Sequence, residues 1–374
     1  MDRRDPKKHI KRRRALTGFL LGSWTYVLLV FVPISLAIEP LGLPKFWAFI
    51  ASALAIVPLA GLIGEATEDI TREVGPGVGG LLNATFGNAT ELIIAFFALR
   101  AGLQNVVKAS LAGSIIGNIL LVLGVSMLAG GWGRDRQIFN RTRAGTNAAM
   151  LFLAVVALVM PAVFDLAVFG TLKERGTDVE QVSLLVSIVL LITYLGSLVF
   201  SLRTHRDLIT TTPPEEQQAR LTRNEALLFL VAATAMVAIE SEILVGAIDE
   251  ATTAFGISQF FVGMVVVAVV GNAAEYASAV LMAMRNRMET AVTIATGSGT
   301  QIALFVAPIL VLISFSFGQP MSLVFNAFEI VGVSLAVIAV SVVTLDGEST
   351  WFEGLQLIAV YLVMAVVFYF VPSA

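Results

Sequence analysis

Two short motifs, 184 residues apart, decide how this chain folds: GNATE at Gly87–Glu91 and GNAAE at Gly271–Glu275. Each is followed by a segment rich in small and amide residues, GSIIGN at Gly113–Asn118 and GSGTQ at Gly297–Gln301. The amide residue that ends this segment lies 27 residues after the motif glutamate in the first case and 26 in the second. Motifs repeated in the same order and spacing indicate an internal duplication. The sequence therefore predicts two related halves.

The segments around the motifs are apolar. Of the 374 residues, 57% are hydrophobic and 14% are charged, and the mean hydropathy is +0.86. A soluble domain carries about 25% charged residues, so the composition excludes an ordinary soluble enzyme, a disordered chain and a nucleic-acid-binding protein. The chain has no cysteine, which excludes disulfides, thiolate metal sites and a cysteine nucleophile.

Lysine and arginine mark the ends of the apolar segments. The runs without either residue are about as long as the ~20 residues that a helix needs to cross a bilayer. Six of them cover 15–44, 46–71, 73–99, 109–133, 144–172 and 176–202. Polar or Gly/Pro segments split the longer tracts 224–284 and 288–374 into two and three further spans. The prediction is an all-α polytopic membrane protein with 11 transmembrane helices.

The motifs divide these helices into one N-terminal helix and two repeats of five. A basic N-terminal segment is predicted at 1–14 and a first span at 15–38. The first repeat covers 43–202, a cytoplasmic linker covers 203–222, and the second repeat covers 223–372. Because five is odd, the two repeats enter the membrane from opposite sides. Inverted repeats of this kind are typical of secondary transporters that bind substrate near the bilayer midplane.

The distribution of cations predicts which side each loop faces. Cytoplasmic loops carry an excess of Lys and Arg, and a cytoplasmic N-terminus assigns 19 cations to the inside and 5 to the outside. The outer cations are Lys45, Arg100, Lys108, Lys173 and Arg175. We therefore expect a multi-pass protein with its N-terminus in the cytoplasm, in the cell membrane of a prokaryote or a vacuolar-type membrane of a eukaryote.

Glu91 and Glu275 are acids in the middle of predicted spans. The helical rise places them about 14 and 15 Å from the nearest loop arginine, near the centre of a ~30 Å hydrocarbon core. An acid at that depth marks an ion pathway, and no Lys or Arg is predicted within the spans to balance its charge. A hard divalent cation such as Ca²⁺, which binds carboxylate, amide and backbone oxygens, supplies the missing charge.

The predicted cation site takes residues from both halves. Glu91 and Glu275 supply charge, four side chains supply amide oxygens, and two glycines allow the helix to unwind and expose backbone carbonyls. These six residues are Asn88, Asn118, Asn272, Gln301, Gly87 and Gly271. Protons and a dication compete for the two glutamates, which are therefore also the predicted proton carriers. If only loaded forms cross the membrane, the protein exchanges each Ca²⁺ for about two or more protons.

Further acids are expected to line the entrances to this site. Glu65, Glu68 and Asp69 cluster at the cytoplasmic end of the second helix, and Glu240 and Glu242 lie at the outer end of the seventh. We predict a vestibule or gating role for these five residues. The alternative is that they are solvated helix ends whose charge is balanced by cations.

The motif segments resemble a known family. GNATELI at 87–93 with KASLAGSIIGNILLVLG at 108–124, and GNAAE at 271–275 with GSGTQIALFV at 297–306, closely resemble the paired repeats of the Ca²⁺/H⁺ antiporters. These form the cation/proton exchanger branch of the calcium/cation antiporter superfamily. The resemblance implies a one-plus-five-plus-five arrangement of helices and Ca²⁺ export driven by inward proton flow. It also implies that the two motif glutamates carry both ions.

The chain departs from this family pattern beside the motifs. Tyr276 stands where the family usually has histidine, and Gly117 and Gly299 stand where serine is usual. The resemblance therefore implies that a proton relay through that histidine is absent here, and that two hydroxyl groups are missing near the site.

Other functions stay open on the sequence alone. A Na⁺/Ca²⁺ exchanger, or a proton-coupled antiporter for Mn²⁺ or another divalent cation, is the main alternative. A cation channel is disfavoured by the inverted repeat, and an intramembrane hydrolase by the lack of its motifs. We expect no enzymatic activity and no cofactor, with Ca²⁺ as transported substrate. The expected partners are Ca²⁺, H⁺ and the lipid bilayer, but no nucleic acid, and a homo-oligomer stays open.

Overall fold

The computed structural model describes residues 24–74, 76–170, 172, 176–204 and 221–372. The predicted basic segment 1–14, the start of the predicted first span and nearly all of the predicted linker lie outside these residues.

Helices make up almost all of the described chain, because a lipid-embedded backbone must satisfy its hydrogen bonds within each segment. In chain order they are α1 (Thr25–Ile38), α2 (Lys45–Val74), α3 (Pro76–Phe86), α4 (Ala89–Arg100), α5 (Gln104–Gly131), α6 (Arg141–Phe169), α7 (Asp178–Leu202), α8 (Arg223–Gly246), α9 (Ile248–Phe255), α10 (Gln259–Met284), α11 (Met288–Phe317), α12 (Ala327–Val343) and α13 (Trp351–Tyr369). Eight of them are long and apolar enough to cross a membrane, namely α2, α5, α6, α7, α8, α10, α11 and α13.

The shorter helices occur where the sequence also predicts spans. α1 and α12 are apolar but only 10 to 17 residues long. α3 and α4 are separated by a turn at Gly87 and Asn88, inside the GNATE motif. The predicted third span is therefore a helix in two pieces, and the first motif lies at the break.

Two π-helical turns occupy corresponding positions in the two halves. One covers Gly117–Val122 in α5 and the other covers Ile302–Val306 in α11. The first turn begins within the GSIIGN segment, and the second begins directly after the GSGTQ segment. The two turns are about as far apart in sequence as the two GNAxE motifs. Turns of this kind often occur at functional sites because the extra residue changes which side chains share a face.

α5 and α10 approach each other closely because glycines line their interface. A Cβ on Gly113 would lie 1.9 Å from the Met264 carbonyl oxygen, and a Cβ on Gly263 would lie 2.7 Å from that of Val106. Farther along, a Cβ on Gly130 would lie 2.7 Å from the carbonyl oxygen of Ala283. Small residues of this kind allow helix backbones to pack tightly in a membrane. They hold the second motif, on α10, against α5.

α2 and α8 pack extensively on each other and belong to an apolar cluster of their own. Leu59 and Ile63 of α2 meet Leu230 and Val237 of α8 in this cluster, and Tyr26 of α1 joins it. The larger apolar core unites residues of α5, α6, α10, α11, α12 and α13. The larger core also includes Ile38 of α1, Ile56 of α2 and Leu244 of α8, so these three helices take part in both clusters. The motif helices α4 and α10 contact α8 and α2, respectively.

A buried irregular segment between α11 and α12 explains why one cation is not where the sequence predicts it. Lys108 was expected in an outer loop, but α5 begins at Gln104, and Lys108 is buried in its second turn. Its ammonium donates to the Val324 carbonyl oxygen at 3.1 Å, in a segment where 321–325 are all buried. Irregular backbone at membrane depth needs such partners.

The described residues also contain a small element outside the all-α prediction. β1 (Gln137–Ile138) and β2 (Glu348–Ser349) form an antiparallel pair that joins the α5–α6 loop to the α12–α13 loop. Arg136 and Glu348 extend the contact with an ion pair of 2.9 Å. This pair links loops of the two halves on the side predicted to be cytoplasmic.

Candidate ion-binding site

The break between α3 and α4 positions Glu91. Asn88 has non-helical φ and ψ angles of −103° and 18° and stands at the N-cap of α4. Glu91 lies in the first turn of that helix and is 8% exposed. The free N–H groups and the dipole at a helix N-terminus favour a negative charge there. The glycine-asparagine pair therefore creates a favourable place for a buried carboxylate.

The second motif does not unwind, which makes the prediction for Gly271 wrong. Gly271 and Asn272 lie inside the continuous α-helical part of α10, Ala268–Met284. The irregularity comes one turn earlier, as a π-helical turn over Val262–Val267. The backbone hydrogen bonds that Gly271 was expected to release are thus kept, and the two motifs are not equivalent in backbone conformation.

Each motif glycine instead lies against the glutamate of the other motif, and Gly271 makes room for Glu91. A Cβ on Gly271 would lie 3.0 Å from Glu91 Cγ and 3.7 Å from its carboxyl carbon. A Cβ on Gly87 would lie 3.8 Å from Glu275 Oε1. Each glutamate therefore rests on the glycine of the opposite motif. The two carboxylates, from opposite halves of the chain, are close enough to interact electrostatically.

A network of amides and hydroxyls surrounds the two glutamates. The Asn118 amide nitrogen donates to Asn272 Oδ1 and to Ser298 Oγ, both at 3.0 Å. Asn272 in turn donates to Ser114 Oγ at 2.9 Å, and Ser298 hydrogen-bonds to the Glu275 carboxylate. This chain of bonds joins α5, α10 and α11 and fixes the orientation of both amides.

Asn88 and Gln301 link the broken helix to the other half. The Asn88 amide nitrogen donates to Gln301 Oε1. Asn88 is fully buried at the start of α4, and Gln301 lies at the point where the π-helical turn of α11 begins. All eight predicted site residues therefore lie at this place in the fold, in two facing groups of four.

Several buried oxygens at this place have no hydrogen-bond partner among the described residues. They are both carboxylate oxygens of Glu91, Oε2 of Glu275, Oδ1 of Asn88, Oδ1 of Asn118 and the hydroxyl of Tyr276. A buried polar atom without a partner is costly, and a buried carboxylate without one is more so. All of these atoms are oxygens, and oxygens are the ligands that hard divalent cations take.

A small cavity reaches Glu91 from one side. Its lining combines Glu91 and Ala95 of α4 with the two hydroxyls of Ser110 and Ser114 on α5, and apolar side chains of Val267 and Ile302 close it. Ala95 and Ser110 lie one helical turn nearer the predicted outer ends of their helices than Glu91 and Ser114 do. The cavity therefore extends from the carboxylate toward the predicted outer side.

The acids predicted to line the entrance at the end of α2 have partners in the protein. Arg72 pairs with Glu68 at 2.6 Å and with Asp69 at 3.3 Å. Asp69 is buried and also accepts from the Leu221 backbone N–H at 3.1 Å, just before α8. Glu65 is half-buried one turn earlier. The contacts of Asp69 connect α2 to the start of α8, which is a structural role.

The acids near the end of α8 differ from each other. Glu240 is 0% exposed, and its Oε1 accepts a hydrogen bond of 2.8 Å from Ser35 of α1. Glu242 is exposed and lies 3.9 Å from an Arg100 nitrogen. The structure therefore places Glu240 between packed helices and Glu242 at the surface, and does not bring them to the same surface.

Sequence reasoning left Ser114, Ser298 and Tyr276 out of the predicted ligand set. Ser114 stands four residues before Asn118, which is one helical turn and the same helix face. Ser298 stands three residues before Gln301, which also allows a shared face. That spacing was a usable signal for the two serines. Among the described residues there is no group of three or more His, Asp or Glu side chains suited to a metal, so amides and hydroxyls must complete any cation site here.

Comparison with known proteins agrees with this geometry. A sequence model described as sodium/calcium exchanger protein matches residues 44–203 and 225–370. The chain belongs to the sodium/calcium exchanger protein family. The two matched segments correspond to the two halves on which the GNATE and GNAAE motifs lie. The described residues of this family member include eight helices that are apolar and long enough to cross a membrane, so the chain is a multi-pass membrane protein.

Individual members of the family are similar to this chain over nearly its whole length. It is 44% identical to the Ca²⁺/H⁺ antiporter of Synechocystis, over 93% of this chain and 97% of that protein. It is 42% identical to the Ca²⁺/H⁺ antiporter ChaA of Bacillus subtilis, over 90% of this chain and 96% of that protein. The crystal structure of the Ca²⁺/H⁺ antiporter protein YfkE superposes on this chain with a TM-score of 0.80 and is 39% identical in sequence. The match covers 93% of this chain and 99% of YfkE.

Proposed function

We propose that this protein is a Ca²⁺/H⁺ antiporter in which Ca²⁺ and protons compete for Glu91 and Glu275. The observation that carries the proposal is the group of buried, unpartnered oxygens on and around two facing carboxylates. The relatives from Synechocystis and Bacillus subtilis are Ca²⁺/H⁺ antiporters by name, which supports the same two ions. Both relatives are more than 40% identical to this chain, so we favour coupling to protons over coupling to sodium.

The contacts around the site refine which residues bind the ion. Glu91, Glu275, Asn88 and Asn118 each have an unpartnered oxygen and are the proposed direct ligands. The side-chain oxygens of Asn272 and Gln301 already accept hydrogen bonds from Asn118 and Asn88, so these two amides orient the ligands. Gly271 contributes the space that lets Glu91 approach, and Gly87 contributes the turn that ends α3 ahead of Glu91. Ca²⁺ takes about six to eight oxygens, so water and backbone carbonyls complete the shell.

Competition between the ions follows from the charge of the site. Two carboxylates in a low-dielectric site repel each other, and either protons or one dication can remove that repulsion. A bound Ca²⁺ requires both groups to be ionised, and protonation of either weakens its binding. Exchange results when the empty, doubly charged form does not cross between the two access states. The cargo is transported unchanged, so no catalytic group is needed.

We propose that the fold supplies alternating access through eleven spans. In this layout α1 and α12 are short spans, α3 and α4 together form one span, and α9 lies outside the membrane. The spans then form a first helix, a repeat over 43–202 and an inverted repeat over 223–372, with a cytoplasmic N-terminus. The small group of α1, α2 and α8 moves against the larger core. The corresponding π-helical turns of α5 and α11 support the repeat.

Transport in proteoliposomes tests the proposal. Purified protein is reconstituted, and Ca²⁺ uptake is followed with an imposed pH gradient or, in a parallel sample, with a Na⁺ gradient and no pH gradient. We expect uptake with the pH gradient alone. Glu91→Gln and Glu275→Gln should each abolish it, because a neutral amide removes charge from the site but keeps the side-chain volume.

The matched control is Glu348→Gln, which changes a surface glutamate that pairs with Arg136 and should transport normally, since surface ion pairs contribute little. Uptake driven by Na⁺ instead of protons would replace the proposal with the sodium-coupled alternative. Normal uptake by either site variant would show that the glutamate is not an ion carrier.

A further inference from the structure

The Tyr276 hydroxyl is a buried polar group that the proposed Ca²⁺ site does not yet use. Tyr276 follows Glu275 on α10, and its hydroxyl oxygen has no hydrogen-bond partner among the described residues. The phenol interacts electrostatically with Tyr361 of α13 and, more weakly, with Glu91 and Glu275, so it lies near both carboxylates. A tyrosine hydroxyl can donate one hydrogen bond and accept others, and a buried one normally finds a partner.

Gly117 makes the position of this hydroxyl possible. A Cβ on Gly117 would lie 2.5 Å from the Tyr276 oxygen but 3.6 Å from the ring carbon that carries it. The first distance is too short for any contact, whereas the second is ordinary van der Waals contact. Any residue other than glycine at 117 would therefore push the phenol, ring and hydroxyl together, away from its position.

The surroundings of Gly117 indicate what the hydroxyl faces. Gly117 begins the π-helical turn of α5, and the next residue is Asn118, whose Oδ1 is one of the unpartnered oxygens. The hydroxyl thus lies against the turn of α5 that carries the proposed ligand Asn118, and Tyr276 directly follows the proposed ligand Glu275 on α10. A side chain needed only for packing could be phenylalanine here, without the cost of an unpartnered buried oxygen.

We propose that the Tyr276 hydroxyl is an uncharged oxygen ligand of the transported cation, and that Gly117 is the residue that admits it. This inference rests on the proposed function, because it adds a ligand to the same site. The hydroxyl contributes to affinity without adding charge. The balance of two carboxylates against one dication is therefore unchanged.

Tyr276→Phe tests the inference in the proteoliposome assay, with Ca²⁺ itself as the probe. We expect the KM for Ca²⁺ to rise about tenfold, at the lower end of the range for groups that tune a metal site, with the maximal rate changed less than twofold. Tyr194→Phe is the matched control, since it removes another buried tyrosine hydroxyl, on α7, where the ring stacks on Phe305. It should leave the KM unchanged. A purely structural role for the Tyr276 hydroxyl would lower thermal stability and the amount of active protein, but not change the KM.

Substitutions of Gly117 provide a second, independent arm. Gly117→Ala should raise the KM as Tyr276→Phe does, because the new methyl group displaces the hydroxyl. In the double variant Gly117→Ala with Tyr276→Phe, the two effects should not add, since the second substitution removes the atom that clashes. Gly117→Ser combined with Tyr276→Phe places a hydroxyl in the vacated space and should recover at least threefold of the lost affinity, relative to the alanine double variant.

The outcomes separate this inference from the proposed function. A wild-type protein that takes up no Ca²⁺ under a pH gradient would overturn the proposed function itself. A wild-type protein that transports normally, together with an unchanged KM in Tyr276→Phe or Gly117→Ala, would overturn only the role of the hydroxyl. Should one of these variants not fold, the other decides, because they lie on different helices and remove the same contact.

Discussion

Replacing Asn118 by alanine should damage both the stability and the ion affinity of the protein. Asn118 is 0% exposed, and its amide nitrogen donates to Asn272 Oδ1 and Ser298 Oγ. Each bond contributes about 1 kcal/mol, and leaving a buried acceptor such as Asn272 Oδ1 without a donor costs about 1 to 3 kcal/mol more. We therefore expect the free energy of unfolding to fall by about 3 kcal/mol.

The effect on affinity follows from the position of the network. Ser298 hydrogen-bonds to Glu275, and Asn118 also supplies one of the unpartnered oxygens. Asn118→Ala therefore removes a proposed ligand and loosens the group that orients a proposed carboxylate ligand. The KM for Ca²⁺ should rise at least tenfold.

Thermal unfolding in detergent, with and without Ca²⁺, measures the first effect, and transport in proteoliposomes measures the second. Ser126→Ala is the control on the same helix, because Ser126 is equally buried and its hydroxyl has no partner among the described residues. That change should be neutral or slightly stabilising. If Asn118→Ala and Ser126→Ala had the same melting temperature and the same KM, the network would not be what organises the site.

Four further substitutions test other contacts. Gly113→Ala should prevent correct packing of α5 on α10, at a cost of about 3 kcal/mol or more, because its methyl would overlap the Met264 backbone. Gly297→Ala should instead stabilise α11 by up to about 1 kcal/mol, because a Cβ there has nothing within 4 Å. Melting curves in detergent compare the stability of these two variants. Gly271→Ala should raise the KM for Ca²⁺ several-fold by pushing Glu91 out of position, and a wild-type KM would show that the 3.0 Å contact is unimportant. Asp69→Ala should lower the free energy of unfolding by about 2 kcal/mol, because its contacts with Arg72 and Leu221 are lost. The KM for Ca²⁺ should stay within twofold of the wild-type value. A raised KM would support the vestibule role predicted from the sequence.

The sequence was most informative where polar residues interrupt apolar runs. The cation-free runs located the long helices, because a charged side chain is rarely tolerated in a span. The repeated GNAxE motif identified the two glutamates, and the structure brings the predicted site residues together. These inferences needed only composition, spacing and the cost of burying charge.

Contacts between distant helices could not be predicted in the same way. The sequence gives no sign that Gly271 keeps a regular helix while Gly87 breaks one, because the difference depends on what packs against each glycine. Lys108 was assigned to a loop because a buried lysine is rare, and the carbonyl of Val324 that makes it acceptable comes from a segment over 200 residues away. Glu240 was predicted to line a vestibule because it lies with Glu242 at the outer end of its span, and the sequence does not show that Ser35 of α1 donates a hydrogen bond to it.

The match between Gly117 and Tyr276 is a third contact of this kind. In the family resemblance drawn from the sequence, Tyr276 and Gly117 are two separate departures, and each implies the loss of a functional group. The structure shows the two residues in contact, with the glycine providing the space that the tyrosine hydroxyl occupies.

Calorimetric titration of the purified protein with Ca²⁺ is the most direct test of the central claim that Ca²⁺ and protons share Glu91 and Glu275. The titration is repeated at several pH values and in two buffers with different ionisation enthalpies, which gives the number of protons released per Ca²⁺ bound. We expect binding to release protons and the Kd to rise as the pH falls, by up to about a hundredfold per pH unit where two protons are displaced. Glu91→Gln and Glu275→Gln should each lose measurable binding. A Kd independent of pH, with no protons released, would contradict the account.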